Sequence, residues 1–167
     1  MPAQSDLEDG ARRVGERLTA LGLTLTTAES CTGGWMAQCI TAVSGSSAWF
    51  DRGFVAYSNE AKEQMLGVAR PLMIEHGSVS EPVVLAMAAG ALQRSNGSLV
   101  IAASGVSGPG GGTVNKPVGM VCFAWRSRHG ASFSATERFA GDRAEVRSQT
   151  VLAAFRGIDR HLDALRS

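Results

Sequence analysis

The sequence predicts an α/β protein, a three-layer α/β/α sandwich with a mixed sheet. Three observations carry the prediction. Apolar residues recur at helical spacing near both ends, short β-rich runs alternate with helical stretches of more than about ten residues, and the last two β-rich runs are joined by only a turn. Strands separated by helices pair side by side with both sheet faces covered, and a closing hairpin adds an antiparallel part. At 167 residues and 17.4 kDa the chain is long enough for one well-cored domain, residues 1–167, and too short for two ordinary ones. With 44% hydrophobic and 19% charged residues and a mean hydropathy of +0.03, it lacks the charge excess of a disordered chain.

Ser5 followed by Glu8 reads as a capping box, and Leu7, Ala11, Val14, Leu18 and Leu21 then repeat at four, three, four and three residues, a helix that Gly22 ends. Residues 23–28 read as a short buried strand leading into the turn AESCTGG, after which 33–43 resume as helix. The polar stretch SGSSAWFDRG precedes a strand expected at 53–57, and Asn59 then caps a helix carrying Lys62, Met65 and Leu66. HGSVSEP reads as a loop. Ser80 caps the next helix, with Pro82 in its first turn and Val84, Met87, Ala88, Ala91 and Leu92 on one face. Residues 98–103 form a continuous apolar strand, 104–116 are glycine-rich, and 118–125 and 132–139 make a hairpin through RSRHG. Asp142 and Glu145 repeat the capping logic before a closing helix marked by Val151, Phe155, Ile158, Leu162 and Leu165.

Charge excludes some partners. Sixteen basic against fifteen acidic residues leave +1, which is no footprint for direct nucleic-acid binding or for an anionic membrane. Cys31, Cys39 and Cys122 show neither C-x-x-C nor a zinc spacing, so no disulfide framework or structural metal is expected. No apolar run approaches the roughly 20 residues that cross a bilayer, and the first 20 residues are too charged for a secretory signal. A cytoplasmic location is expected.

In an open α/β sheet, ligands bind beyond the carboxyl ends of the strands, here the AESCTGG turn, the 57–62 turn and the SGVSGPGGG loop. Ser30 and Thr32 precede two glycines and a helix, so one of them caps that helix, or Ser30 is a nucleophile at a strand-to-helix turn whose amides meet a substrate carbonyl. A serine nucleophile needs a base. His76, His129 and His161 stand in no triad order, whereas Lys62, partly buried beside an apolar strand, can lose its proton near neutral pH, with Tyr57 as relay. The alternative is a solvated Lys62 and a Tyr57 that closes the core. Glu29 either orients Lys62 or merely ends the strand. Cys31 is a second candidate nucleophile, ranked below Ser30. The glycine loop matches no named nucleotide motif, yet its amides suit an anion as well as a plain hairpin does. Arg143, in the first turn of the closing helix, either binds phosphate or pairs with Asp142 or Glu145.

The blocks TTAESCTGGW, GSSAWFDRGFVAYSNEAK, HGSVSEPVV, SGVSGPGGGTVNKPVG and FAGDR closely resemble the CinA C-terminal family of nicotinamide-mononucleotide deamidases, in order and over essentially the whole chain. The resemblance implies a three-layer fold, a homodimer, and hydrolysis of nicotinamide mononucleotide to nicotinate mononucleotide and ammonia, with no metal or organic cofactor. It places the catalytic dyad on Ser30 and Lys62 with Tyr57 beside them, and implicates Ser47, Ser104 and Arg143. Thr32, Gly33, Gly105 and Gly108 complete the expected substrate-binding set, with Arg143 and the 104–112 loop on the 5′-phosphate. Ser47, a second hydroxyl expected near the dyad, belongs to the substrate-binding set, with nucleophile and proton relay as the open alternatives to ligand of the amide. Ser104 stands where many relatives have threonine. Two rival readings are a nucleotide- or phosphate-binding regulatory module without turnover and an interaction domain linked to competence.

Overall fold

A strand covered on both faces is buried at nearly every position, and the two central strands show that burial. All five residues of β1 (Leu25–Glu29) are buried, as are six of the seven of β3 (Leu99–Gly105). The computed structural model describes residues 1–164. Its five-stranded sheet has the order β2-β1-β3-β4-β5. β2 (Phe50–Val55) and β3 run parallel to β1, β4 (Met120–Ser127) runs antiparallel to β3, and β5 (Ser132–Arg138) antiparallel to β4. Successive side chains then divide between two cores. Leu99, Ile101 and Ala103 pack with α1 (Gln4–Leu21), α2 (Trp35–Thr41) and α6 (Arg143–Ala164), while Val100 and Ala102 pack with α3 (Asn59–Leu66), α4 (Arg70–His76) and α5 (Glu81–Gln93). This is the expected α/β/α sandwich with a mixed sheet.

The connections create a crevice. β1 leads through α2 to β2 on one side, and β2 leads through α3, α4 and α5, on the opposite face, to β3 on the other side. The carboxyl ends of β1 and β3 thus lie at a topological switch point, where the strand order reverses.

α6 crosses the first core on Val151, Phe155, Ile158 and Leu162, each worth about 1.5–3 kcal/mol when fully buried. Gly157 allows the close approach, since a Cβ there would lie 2.0 Å from the Trp125 ring, and the indole N–H donates to the Ala154 carbonyl at 2.9 Å. Helix and sheet are thereby fixed in register, which brings the start of α6 to the crevice.

Four local expectations shift. α1 begins at Gln4, and the Asp6 carboxylate accepts the Ala3 N–H (2.8 Å), so the reciprocal bond falls two residues before the Ser5–Glu8 pair. β2 starts at Phe50 and ends at Val55 rather than spanning 53–57; as an edge strand it buries few side chains, so its sequence looks like a polar loop. Ser58, not Asn59, caps α3 by accepting the Ala61 N–H at 3.0 Å. α4 was not expected: it buries only Met73, too little to print a periodic apolar face. The Asp142–Glu145 box closes as read, with Asp142 accepting the Glu145 N–H (2.9 Å) and Glu145 the Asp142 N–H (2.8 Å). Leu165 lies outside the described residues.

Candidate active site

β1 ends on a fully buried carboxylate. Glu29 accepts the Thr32 hydroxyl (2.7 Å) and the Met36 N–H (2.9 Å) on Oε1 and the Ala37 N–H (3.0 Å) on Oε2. The first N–H groups of a helix lack intrahelical partners and carry partial positive charge, so a carboxylate there satisfies both needs. Glu29 therefore caps α2 from the preceding strand. Neither hydroxyl of the turn serves as that cap: Thr32 donates to Glu29, and Ser30 faces the other way.

Ser30 meets Lys62. The Lys62 amine donates to Ser30 Oγ at 3.0 Å and to the Tyr57 carbonyl at 3.1 Å, with the Ser30 hydroxyl 3.5 Å from the same carbonyl. Lys62 is only 2% exposed, and no carboxylate pairs with it among the described residues. Burial pushes its pKa below the ordinary 10.5, opposed by the neighbouring Cys31 thiol, because the neutral amine loses less solvation than the ammonium. Cys31 itself is buried and its thiol is pushed up to about 12, burial outweighing everything the turn offers a thiolate. The Glu29 carboxylate spends its acceptors on α2 rather than on Lys62.

The turn also supplies donors. The Ser30 N–H goes to the Ala103 carbonyl (3.0 Å) and the Gly33 N–H to the Ser30 carbonyl (3.1 Å), while the Thr32 N–H has no acceptor among the described residues and the Cys31 N–H meets only its own sulfur. Gly33 and Gly34 both have positive φ, +59° and +97°, which only glycine takes at little cost.

Three further segments form the rim. Arg143 donates to the Gly108 carbonyl (2.8 Å) and to the exposed Tyr57 hydroxyl (3.0 Å), rather than to Asp142 or Glu145. Gly105 lies so near the turn that a Cβ would sit 3.2 Å from Cys31 Sγ. The buried Ser104 hydroxyl donates to the Ser78 carbonyl (2.9 Å), tying the glycine loop to the α4–α5 connection, and Lys116 bonds the His76 carbonyl beside it. The structure thus gathers Ser30, Thr32, Gly33, Tyr57, Lys62, Ser104, Gly105, Gly108 and Arg143 at one end of the sheet.

Ser47 is the exception. It is exposed, in a 3₁₀ turn (Ser46–Ala48) just before β2. Phe50 pairs with Leu25, the first residue of β1, whereas Ser30 follows its last, so Ser47 stands at the opposite end of the sheet from the dyad. The expectation of a second hydroxyl beside Ser30 is corrected for the single chain. One neighbour was missed. Arg147 donates to the Cys31 carbonyl (Nε, 3.0 Å) and to the Thr32 carbonyl (Nη2, 3.0 Å), its guanidinium 5.3 Å from the Trp35 ring centre. Its position four residues after Arg143, on the same helical face, was the available signal.

Residues 7–162 match the family model of the CinA C-terminal domain. The chain belongs to the CinA C-terminal domain family. Among its relatives, the nicotinamide-nucleotide amidohydrolase PncC of Escherichia coli (strain K12) is 51% identical over 150 residues, covering 90% of this chain and 91% of that protein. The protein of the same name from Pseudomonas putida is 49% identical over 148 residues, covering 89% and 92%. The crystal structure of the competence/damage inducible protein CihA from Agrobacterium tumefaciens superposes with a TM-score of 0.90 at 43% identity, covering 100% of this chain and 98% of that one. Family membership extends over both strands and all three loops that build the crevice. No helix among the described residues is long and apolar enough to cross a membrane.

Proposed function

We propose that this protein is a nicotinamide-nucleotide amidohydrolase that converts nicotinamide mononucleotide to nicotinate mononucleotide and ammonia, in pyridine nucleotide recycling, through a Ser30–Lys62 dyad. The 51% identity to an amidohydrolase over nine-tenths of the chain supports the reaction class. The observation that carries the mechanism is the buried Lys62 amine 3.0 Å from Ser30 Oγ.

The neutral amine takes the Ser30 proton as Oγ attacks the carboxamide carbon. Negative charge develops on the former carbonyl oxygen, and the N–H groups of Cys31 and Thr32, neither given to a backbone carbonyl, are the donors placed to receive it. Collapse expels the amide nitrogen, which takes the proton from Lys62 and leaves as ammonia. Water then attacks the acyl-enzyme and gives a proton to Lys62; collapse expels Ser30 Oγ, which takes that proton back, and the carboxylic acid leaves with Ser30 and neutral Lys62 restored. The Tyr57 carbonyl orients Lys62 throughout, and the Tyr57 hydroxyl steadies Arg143. Arg143, with Ser104, Gly105 and Gly108, holds the 5′-phosphate, and Gly33 lets the pyridine ring lie close to the turn. Ser47 takes no step, and these side chains carry every proton transfer, so the scheme calls for no metal or organic cofactor. Two copies of the chain act as a homodimer.

Ammonia release from nicotinamide mononucleotide tests this directly. Wild type turns over, and Ser30→Ala and Lys62→Ala each lose at least about 10³-fold in kcat while still folded. Full activity in both variants rejects the dyad; nucleotide binding without ammonia rejects the enzyme and leaves a regulatory module.

A further inference from the structure

Arg147 holds the turn from behind. Of the two carbonyls it bonds, that of Thr32 also accepts the Trp35 N–H at 3.1 Å, but that of Cys31 has no other donor among the described residues. A trans peptide points its C=O and N–H in opposite directions, and the Cys31–Thr32 peptide is trans. Drawing the Cys31 oxygen toward α6 therefore turns the Thr32 N–H the other way, toward the face of the sheet that carries α3 and Lys62. The Thr32 side chain, anchored on Glu29, does not fix this peptide plane, because rotation about the two bonds flanking the peptide flips it with both side chains in place.

From this geometry we infer that Arg147 is a positioning residue for the oxyanion site: by holding the Cys31 carbonyl it sets the Thr32 N–H to donate toward the reacting carbonyl. The inference deepens the amidohydrolase reading and rests on it. A cation on the carbonyl also polarises the amide, so the same contact that aims the N–H strengthens it as a donor. Trp35 holds the guanidinium plane in place, and both N–H groups are used at once, a fit that the point charge of lysine does not reproduce.

The test compares wild type with Arg147→Ala and Arg147→Lys, their folding checked by circular dichroism. Loss of one oxyanion donor typically costs about 10²–10³-fold in kcat, so Arg147→Ala falls by about 10²-fold with KM within roughly threefold, and Arg147→Lys recovers only part. Added guanidinium ion at sub-denaturing concentration restores kcat to Arg147→Ala and leaves wild type unchanged, a response that a merely structural role does not give. Backbone ¹⁵N relaxation supplies a reading independent of turnover: the Thr32 amide order parameter drops from about 0.85, typical of rigid backbone, to below about 0.6 in Arg147→Ala. Unchanged kcat, a change confined to KM, or an unchanged Thr32 order parameter overturns the inference. If wild type releases no ammonia from nicotinamide mononucleotide, the amidohydrolase reading fails, and the relaxation measurement still decides whether Arg147 sets the Thr32 amide.

Discussion

Each end of the sheet holds a buried serine hydroxyl bonded to a buried nitrogen base. At one end Ser30 meets Lys62 at 3.0 Å; at the other Ser127 meets His161 Nε2 at 2.6 Å. By side chains alone the second pair is the more familiar nucleophile and base. The backbone distinguishes them. Ser127 sits in the hairpin ladder, its N–H given to the Ala131 carbonyl and the next N–H to Ser98, and Phe133 packs edge-on over the histidine ring at 5.2 Å. Ser30 leaves its strand at a switch point, beside two N–H groups that no backbone carbonyl accepts and two glycines. A hydroxyl and a base make a site only where backbone donors also meet them.

The sharpest way to break this comparison is to remove the two hydroxyls separately. Ser127→Ala keeps ammonia release within about twofold while Ser30→Ala loses at least about 10³-fold; equal losses in a steady-state assay would remove the distinction between the two ends. The bases differ as well, in what burial does over pH. Both have lowered pKa values through burial, below 10.5 for Lys62 and below 6.5 for His161. In each case the unfolded chain binds the proton more readily, so stability rises with pH across the window between the folded and the unfolded pKa, and below that window the penalty is complete. For Lys62 that penalty is present at neutral pH, whereas for His161 it has gone above about pH 6.5. Lys62→Met, inactive in turnover, therefore melts about 2–4 °C above wild type at pH 7, and the gap narrows as pH approaches 10.5. A melting curve with no gain at pH 7 would show that Lys62 carries no such burden. In wild type, kcat climbs with pH and levels off at a pKa below 10.5, as the amine loses its proton. The smallest effect sharpens the rim: Tyr57→Phe keeps the carbonyl on Lys62 but removes the acceptor of Arg143, so KM for the nucleotide rises by roughly fivefold to tenfold with kcat little changed. A fall in kcat instead would move the Tyr57 hydroxyl into the chemistry.

What the sequence discloses follows the same division. β3, the hairpin and the two long helices announce themselves because burial repeats at their own period, as with Val151, Phe155, Ile158 and Leu162 on α6. β2 and α4 do not, since an edge strand and a seven-residue helix burying Met73 alone carry almost no periodic signal. In the site, Ser30, Tyr57, Lys62 and Arg143 are legible because the ends of parallel strands are where ligands bind and their chemistry is unusual there. Glu29 and Arg147 act through contacts that exist only once α2 and α6 have docked on the turn; spacing from Arg143 gives the face of Arg147 but not its partners, and no local pattern encodes the role of Glu29. Ser47 illustrates the converse: its motif suggests chemistry, but β2 begins three residues later and sets it at the far end of β1.

The carboxylate of Glu29 has a consequence for anyone redesigning this protein. It occupies the residue next to Ser30 and also fastens a helix, so variation at position 29 alters foldability and reactivity together. Libraries aimed at new amides belong instead on the exposed 109–115 segment, where the side chain of Val114 is almost wholly in solvent and new contacts can be tried without loosening the scaffold.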